Sequence, residues 1–193
     1  HTAKVSENDY SIPDGVIVRS NFVILTGCSG GGKSTLLSEL ARRGYTHIPE
    51  PGRQIVKEQL AIDGKALPWK DLDHFLELAL SRYIYQFNSQ AETNNLVFFD
   101  RGIIVAVQLD REQGHHFDKA AKKFKYHKTI FMLPPWEDIY RFDKERKHSF
   151  DQAVEEYEQL LIKYKKYGYN IVMVPKDSVS KRADMILSFF SID

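Results

Sequence analysis

Apolar residues in this chain gather into five short runs: Asn21–Gly27 (NFVILTG), Thr46–Glu50 (THIPE), Asn95–Asp100 (NLVFFD), Lys128–Pro134 (KTIFMLP) and Asn170–Pro175 (NIVMVP). Four of them are continuously apolar and do not alternate with polar residues. Strands read this way when both faces of their sheet are covered. The second run is shorter and more polar, and carries a weaker strand signal.

Helical periods fill the gaps. Lys33–Arg43 stops at Gly44, a residue suited to a helix C-terminus. Gln54–Asp63 follows the second run. Leu72–Glu92 places Phe75, Leu76, Ala79, Leu80, Tyr83 and Phe87 on one side. Phe117–Phe124 is short, Phe150–Tyr167 carries a stripe of Val154, Tyr157, Leu160, Leu161 and Tyr164, and Ser180–Phe190 comes last. Strands alternating with helices predict an α/β fold of three layers, a five-stranded parallel sheet with helices on both faces. No internal repeat and no low-complexity stretch interrupts the pattern.

At 193 residues the chain fits one domain with a core of useful size. We divide it into an N-terminal arm, residues 1–20, expected to be loosely ordered and trimmed at its start, and a domain over residues 21–193. The net charge of +1 gives no sign of a nucleic-acid or membrane-surface binder. No apolar run approaches a membrane span, and the first residues lack a secretory apolar stretch. The single cysteine, Cys28, cannot form an internal disulfide, so a reducing, cytoplasmic setting is expected.

Candidate chemistry begins between the first run and the first helix. Gly27–Ser34 reads GCSGGGKS and matches G-x-x-x-x-G-K-[ST], in the strand-to-helix position that motif requires. Backbone N–H groups of such a loop turn inward as a nest for phosphate oxygens, and the helix adds its positive end. Bulky side chains would block that approach. The expected nucleotide-binding residues are Gly27, Ser29, Gly30, Gly31, Gly32, Lys33, Ser34 and Thr35. Lys33 reaches the β- and γ-phosphates, and the Ser34 hydroxyl faces Mg²⁺. Cys28 reads as a small loop filler, with a sensitive thiol as the alternative.

Two further acids end strands. Asp100 closes NLVFFD and is followed by Arg101. An acid there orders Mg²⁺ and its waters beside a phosphate loop, and a guanidinium grips an anion bidentately. A plain N-cap acid and a surface arginine would give the same letters. Glu50 precedes Pro51 and Gly52, which force a turn, and Arg53 follows. A carboxylate here accepts the proton of an attacking hydroxyl, or simply caps the next helix. The charged run Tyr140–His148 is either a lid or a solvated helix. His115 and His116 lack further ligands at metal spacing and read as loop residues.

Together GCSGGGKST, EPGR, ALSRY, FFDRG and LPPWEDIYRFDKERK resemble the small P-loop kinases of the nucleoside and nucleotide kinase group. The chain looks most like bacterial "AAA family ATPase" proteins of kinase-like fold, with ribosylnicotinamide kinase domains as relatives. The resemblance runs from about Asn21 to the C-terminus. It implies a P-loop NTPase fold, nucleotide-kinase-like, with a short lid. It also implies roles: Glu50 as base, Asp100 and Arg101 as the pair that binds the acceptor, and Arg82 as a partner of the acceptor's phosphate; Arg53, next to Glu50 at its strand end, is placed on the acceptor side by position, as Asp100 is beside Ser34 at the metal. Arg141 and Arg146 would close over the transferred phosphoryl, and the loop VPKDS would cradle the donor base. The chain departs from the pattern in its PPW stretch and in lacking the segments of a hexameric motor.

The expected activity is transfer of phosphoryl from ATP, with Mg²⁺, to a small nucleoside- or nucleotide-like acceptor. A nucleotide-binding switch or slow ATPase signalling to a protein partner is the alternative; the absence of N-K-x-D disfavours a GTPase form. A kinase of nucleic-acid ends would need a basic groove that the overall charge does not suggest. Assembly as a homodimer is left open.

Overall fold

A computed structural model describes residues 4–27, 32–90, 92–137 and 144–190, with the side chains of 144–149 outside the description. In chain order the elements are β1 (Ile17–Val18), β2 (Phe22–Gly27), α1 (Lys33–Arg42), β3 (Thr46–Ile48), α2 (Gly52–Ala61), α3 (Leu72–Ser89), β4 (Val97–Asp100), α4 (His115–Lys123), β5 (Phe124–Lys125), β6 (Thr129–Leu133), α5 (Lys144–Lys166), β7 (Asn170–Met173) and α6 (Val179–Ser188).

The five expected strands are all present and all parallel, in the order β3-β4-β2-β6-β7. Successive residues of a strand point to opposite faces, so each continuous apolar run feeds two cores at once. Phe22, Ile24, Val97, Phe99, Ile130 and Met132 face α2, α3, α4 and α5. Val23, Leu25, Phe98, Phe131 and Leu133 face Leu36, Leu37 and Leu40 of α1 and Ala183, Ile186 and Leu187 of α6. This is the three-layer arrangement the pattern predicts.

Strand β2 lies at the centre, with β4 on one side and β6 on the other. The chain fills one side first and then crosses to the other, so the strand order reverses at β2, and ligands of such sheets bind at the carboxyl ends of the strands where it does. The glycine loop leaves from that point.

The remaining differences from the sequence reading are local. Strand β3 ends at Ile48, which leaves Glu50 in the turn before α2. The last long helix begins at Lys144 and not at Phe150, so part of the charged run opens α5. A small parallel pair was not expected: Ile17 sits beside Phe124 and Val18 beside Lys125. Lys123 Nζ also donates to Pro13 O at 2.7 Å and Gly15 O at 3.0 Å, tying residues of the N-terminal stretch to the domain. Two-residue strands have no period to detect, which is why the pattern missed them. Among the described residues, no helix is long and apolar enough to cross a membrane.

Candidate active site

Three strand ends bring the charged residues together. Lys33 is the first residue of α1, and its ammonium lies 2.6 Å from Asp100 Oδ1 at the end of β4. The contact is a partly buried ion pair. The alignment follows from register: Leu25, two residues before the end of β2, lies directly beside Asp100. Burial holds the Lys33 pKa below the ordinary lysine value and nearby Arg101 adds to this, while Asp100 and Glu50 oppose it. Ser34 and Thr35 are exposed on the first turn of α1.

The loop is built so that its two described glycines have no substitute. Gly27 adopts φ 147°, and a Cβ there would lie 2.5 Å from Leu133 O of the neighbouring strand. Gly32 is left-handed, at φ 79°, and its Cβ would lie 2.7 Å from the Arg182 guanidinium. Ser29, Gly30, Gly31 and Cys28 lie outside the described residues. Gly27→Ala must push β2 and β6 apart, because the obstacle is backbone. We expect a loss of about 1–3 kcal/mol, the usual range for overpacking. Urea denaturation reads it directly, and an unchanged midpoint would contradict the close approach.

Arg101 takes a left-handed backbone, φ 64°, costly for a residue with a Cβ. Such conformations persist where the surroundings over-determine them, often at functional sites. Its backbone N–H donates to Leu25 O at 2.9 Å, and its Nη2 lies 3.7 Å from Glu156 Oε1 on α5. Burial works against the guanidinium charge, yet Glu156, Tyr83, Glu50 and Asp100 around it hold its pKa above the ordinary value. Glu50 accepts a hydrogen bond from Gly52 N–H and so caps α2. It also lies within electrostatic reach of Lys33, Tyr83 and Arg101. Of the two readings of Glu50 from the sequence, the cap is the one the Gly52 N–H hydrogen bond shows.

Other expected site residues sit differently. Arg53 is exposed on the first turn of α2. Arg82 forms an ion pair with Glu58 across α2 and α3. Arg141 lies outside the described residues, and Arg146 lies in the first turns of α5 with its side chain outside the description. In the VPKDS loop, Ser178 caps α6 by accepting from Lys181 N–H at 3.3 Å.

Several residues at the site were not found from the sequence. His47 of β3 is half-buried with no hydrogen-bond partner on its Nε2. Burial lowers its pKa, against the pull of Asp100 and with the push of Lys33. Lys163 of α5 is buried, donates to Val105 O at 3.3 Å, and is pushed down to about 8 by burial, with Glu156 and Asp110 opposing. Arg182 of α6 is buried 5.4 Å over the Trp136 ring, behind Gly32. Lys163 and Glu156 do leave a trace: they are seven residues apart, on the same helix side as Leu160. A charged residue on an apolar stripe is the signal that would have flagged them.

The parallel sheet, the glycine loop entering a helix, and the Lys33–Asp100 pair define a class, the P-loop kinase-like NTPases. A family model described as an AAA domain matches residues 22–182, and the chain belongs to that family. Solved structures agree on the fold. The NadR protein in complex with NR superposes with a TM-score of 0.61 at 17% identity, covering 90% of this chain and 52% of that one, so the chain spans about half of NadR. Deoxyadenosine kinase from M. mycoides gives 0.59 at 17% identity, covering 88% and 98%. Thymidylate kinase from Ehrlichia chaffeensis gives 0.55 at 15% identity, covering 90% and 99%. A comparison with curated proteins finds no match.

Proposed function

We propose that this protein is an ATP- and Mg²⁺-dependent phosphotransferase acting on a small nucleoside- or nucleotide-like acceptor. The observation that carries this reading is the meeting of Lys33, Asp100, Arg101 and Glu50 at one sheet edge, where α1 begins. A bare NTPase needs the first two. The acid and the guanidinium beside them have a use when a second substrate must be deprotonated and held. The kinase fold of the neighbouring structures supports the same reading.

In this reading Gly27–Thr35 hold the donor phosphates, and Lys33 neutralises charge on the transferred group. Ser34 and Asp100 are hard oxygen donors, the kind Mg²⁺ takes. Mg²⁺ bound there would offset charge on the β- and γ-phosphate oxygens. Glu50 takes the acceptor proton. Arg53, Arg82 and Arg101 lie on the acceptor side, and Arg141 and Arg146 belong to the lid that excludes water, a competing acceptor. The domain spans residues 21–193, with residues 1–20 as an arm.

Labelled ATP, Mg²⁺ and a panel of nucleosides, nucleoside monophosphates and vitamin ribosides test this. The expected result is label on one acceptor class. Release of free phosphate with no labelled acceptor would sink the transferase reading in favour of an ATPase or a switch.

A further inference from the structure

The described cations near the acceptor side are already matched by acids of the chain, or point away. Arg101 faces Glu156 at 3.7 Å. Arg82 is held by Glu58. Lys163 is buried, donates to Val105 O, and has Glu156 and Asp110 for electrostatic neighbours. Arg53 projects from the exposed side of α2. Glu50 and Glu156, two of the acids that favour the Arg101 charge, would lose part of their counter-charge if a phosphate took the guanidinium.

What the site offers instead is neutral. Around Arg101 lie the hydroxyls of Tyr83 and Tyr164, with Thr26 Oγ1 beside Tyr164. Tyr83 Oη and Arg101 Nε lack a hydrogen-bond partner, while the Tyr164 and Thr26 hydroxyls lie against each other. The three hydroxyl residues are deeply buried, Tyr83 at 2% exposure and Thr26 and Tyr164 at 0%. An orphaned buried hydroxyl such as that of Tyr83 is unusual and points to a missing partner, a water or a ligand hydroxyl. A doubly charged phosphate needs free cations to repay its lost hydration. A sugar hydroxyl needs only hydrogen bonds.

We propose that the acceptor is an alcohol of nucleoside type carrying no phosphate, and that Glu156 excludes nucleoside monophosphates by occupying Arg101 with a carboxylate of the chain itself. The substrate class deepens the phosphotransferase reading and rests on it. In the reaction the acceptor oxygen forms a new bond to the γ-phosphorus of ATP. The bond from that phosphorus to the β–γ bridging oxygen breaks, ADP leaves, and the hydroxyl proton passes to Glu50. Glu156 touches no reacting atom; it is a specificity-determining residue acting through Arg101.

The test is equilibrium binding, which does not depend on turnover. Ribonucleosides and their 5′-monophosphates are titrated by calorimetry against the wild type, Glu156→Gln and Glu156→Asp, each saturated with a non-hydrolysable ATP analogue and Mg²⁺. The wild type should bind a nucleoside at least about tenfold tighter than its monophosphate. Glu156→Gln should gain about tenfold or more for the monophosphate, with nucleoside affinity little changed. Glu156→Asp, which keeps the charge, should keep the discrimination. A wild type that favours the monophosphate, or a Glu156→Gln that gains nothing, overturns the proposal. A wild type that binds nucleosides in this way but transfers no label would keep the selectivity set by Glu156 and remove the phosphotransferase reading, and with it the acceptor role.

Discussion

Lys33→Ala is expected to lower kcat/KM for phosphoryl transfer by about 10³-fold or more, with the thermal midpoint within about 3 °C of the wild type. The activity loss follows from the kind of catalysis. Phosphoryl transfer asks for little covalent chemistry from the protein and depends on positioned charge. Lys33 is a lysine held in place before ligand arrives, by Asp100 at 2.6 Å and by the first turn of α1. The small stability change needs its own argument, because breaking a partly buried ion pair can be costly. Two features limit it here. Burial already disfavours the Lys33 charge, so its removal also removes a desolvation penalty. Asp100 keeps Arg101 as an electrostatic neighbour, so its carboxylate is not left alone. Steady-state kinetics and a melting curve on the same sample separate the two effects. Near-normal activity in the variant means that the loop does not hold the donor.

The parts of the molecule that were legible in the sequence are those whose information is local. NFVILTG and KTIFMLP read as strands because both sheet faces are buried, and Val23 and Ile24 must each find a core. The glycine loop was legible because its motif includes its setting, strand before and helix after. The charge partners were not. Glu156 lies 55 positions from Arg101, and nothing along the chain ties a residue on one helix to a strand end so distant. Lys163 is buried because the turn at Val105 offers it a carbonyl, a fact of packing and not of spacing. His47 stands beside Asp100 because Ile48 pairs with Phe99 in the register of β3 and β4. The weak THIPE pattern hid that register. The phosphate-loop reading therefore came from the sequence, while the surroundings of Arg101, drawn from α3, α5 and β4, needed the tertiary structure.

Glu50→Gln separates the cap that Glu50 makes from the base role proposed for it. The carboxylate caps α2 through Gly52 N–H, and it lies near Lys33 and Arg101. A glutamine keeps an oxygen that can accept from the same N–H, so the cap survives, at a cost well under the roughly 1 kcal/mol of losing one. What glutamine cannot do is accept a proton. If Glu50 is the base, kcat should fall by about 10²–10⁴-fold, the usual share of general base catalysis. Affinity for the donor should hold, because Glu50 belongs to the turn after β3 and not to the glycine loop. Donor binding by calorimetry and single-turnover transfer give the two readings independently. A fall in donor affinity at unchanged single-turnover rate would mean that Glu50 shapes the loop and leaves the hydroxyl proton to another group, with His47 beside Asp100 the first to examine.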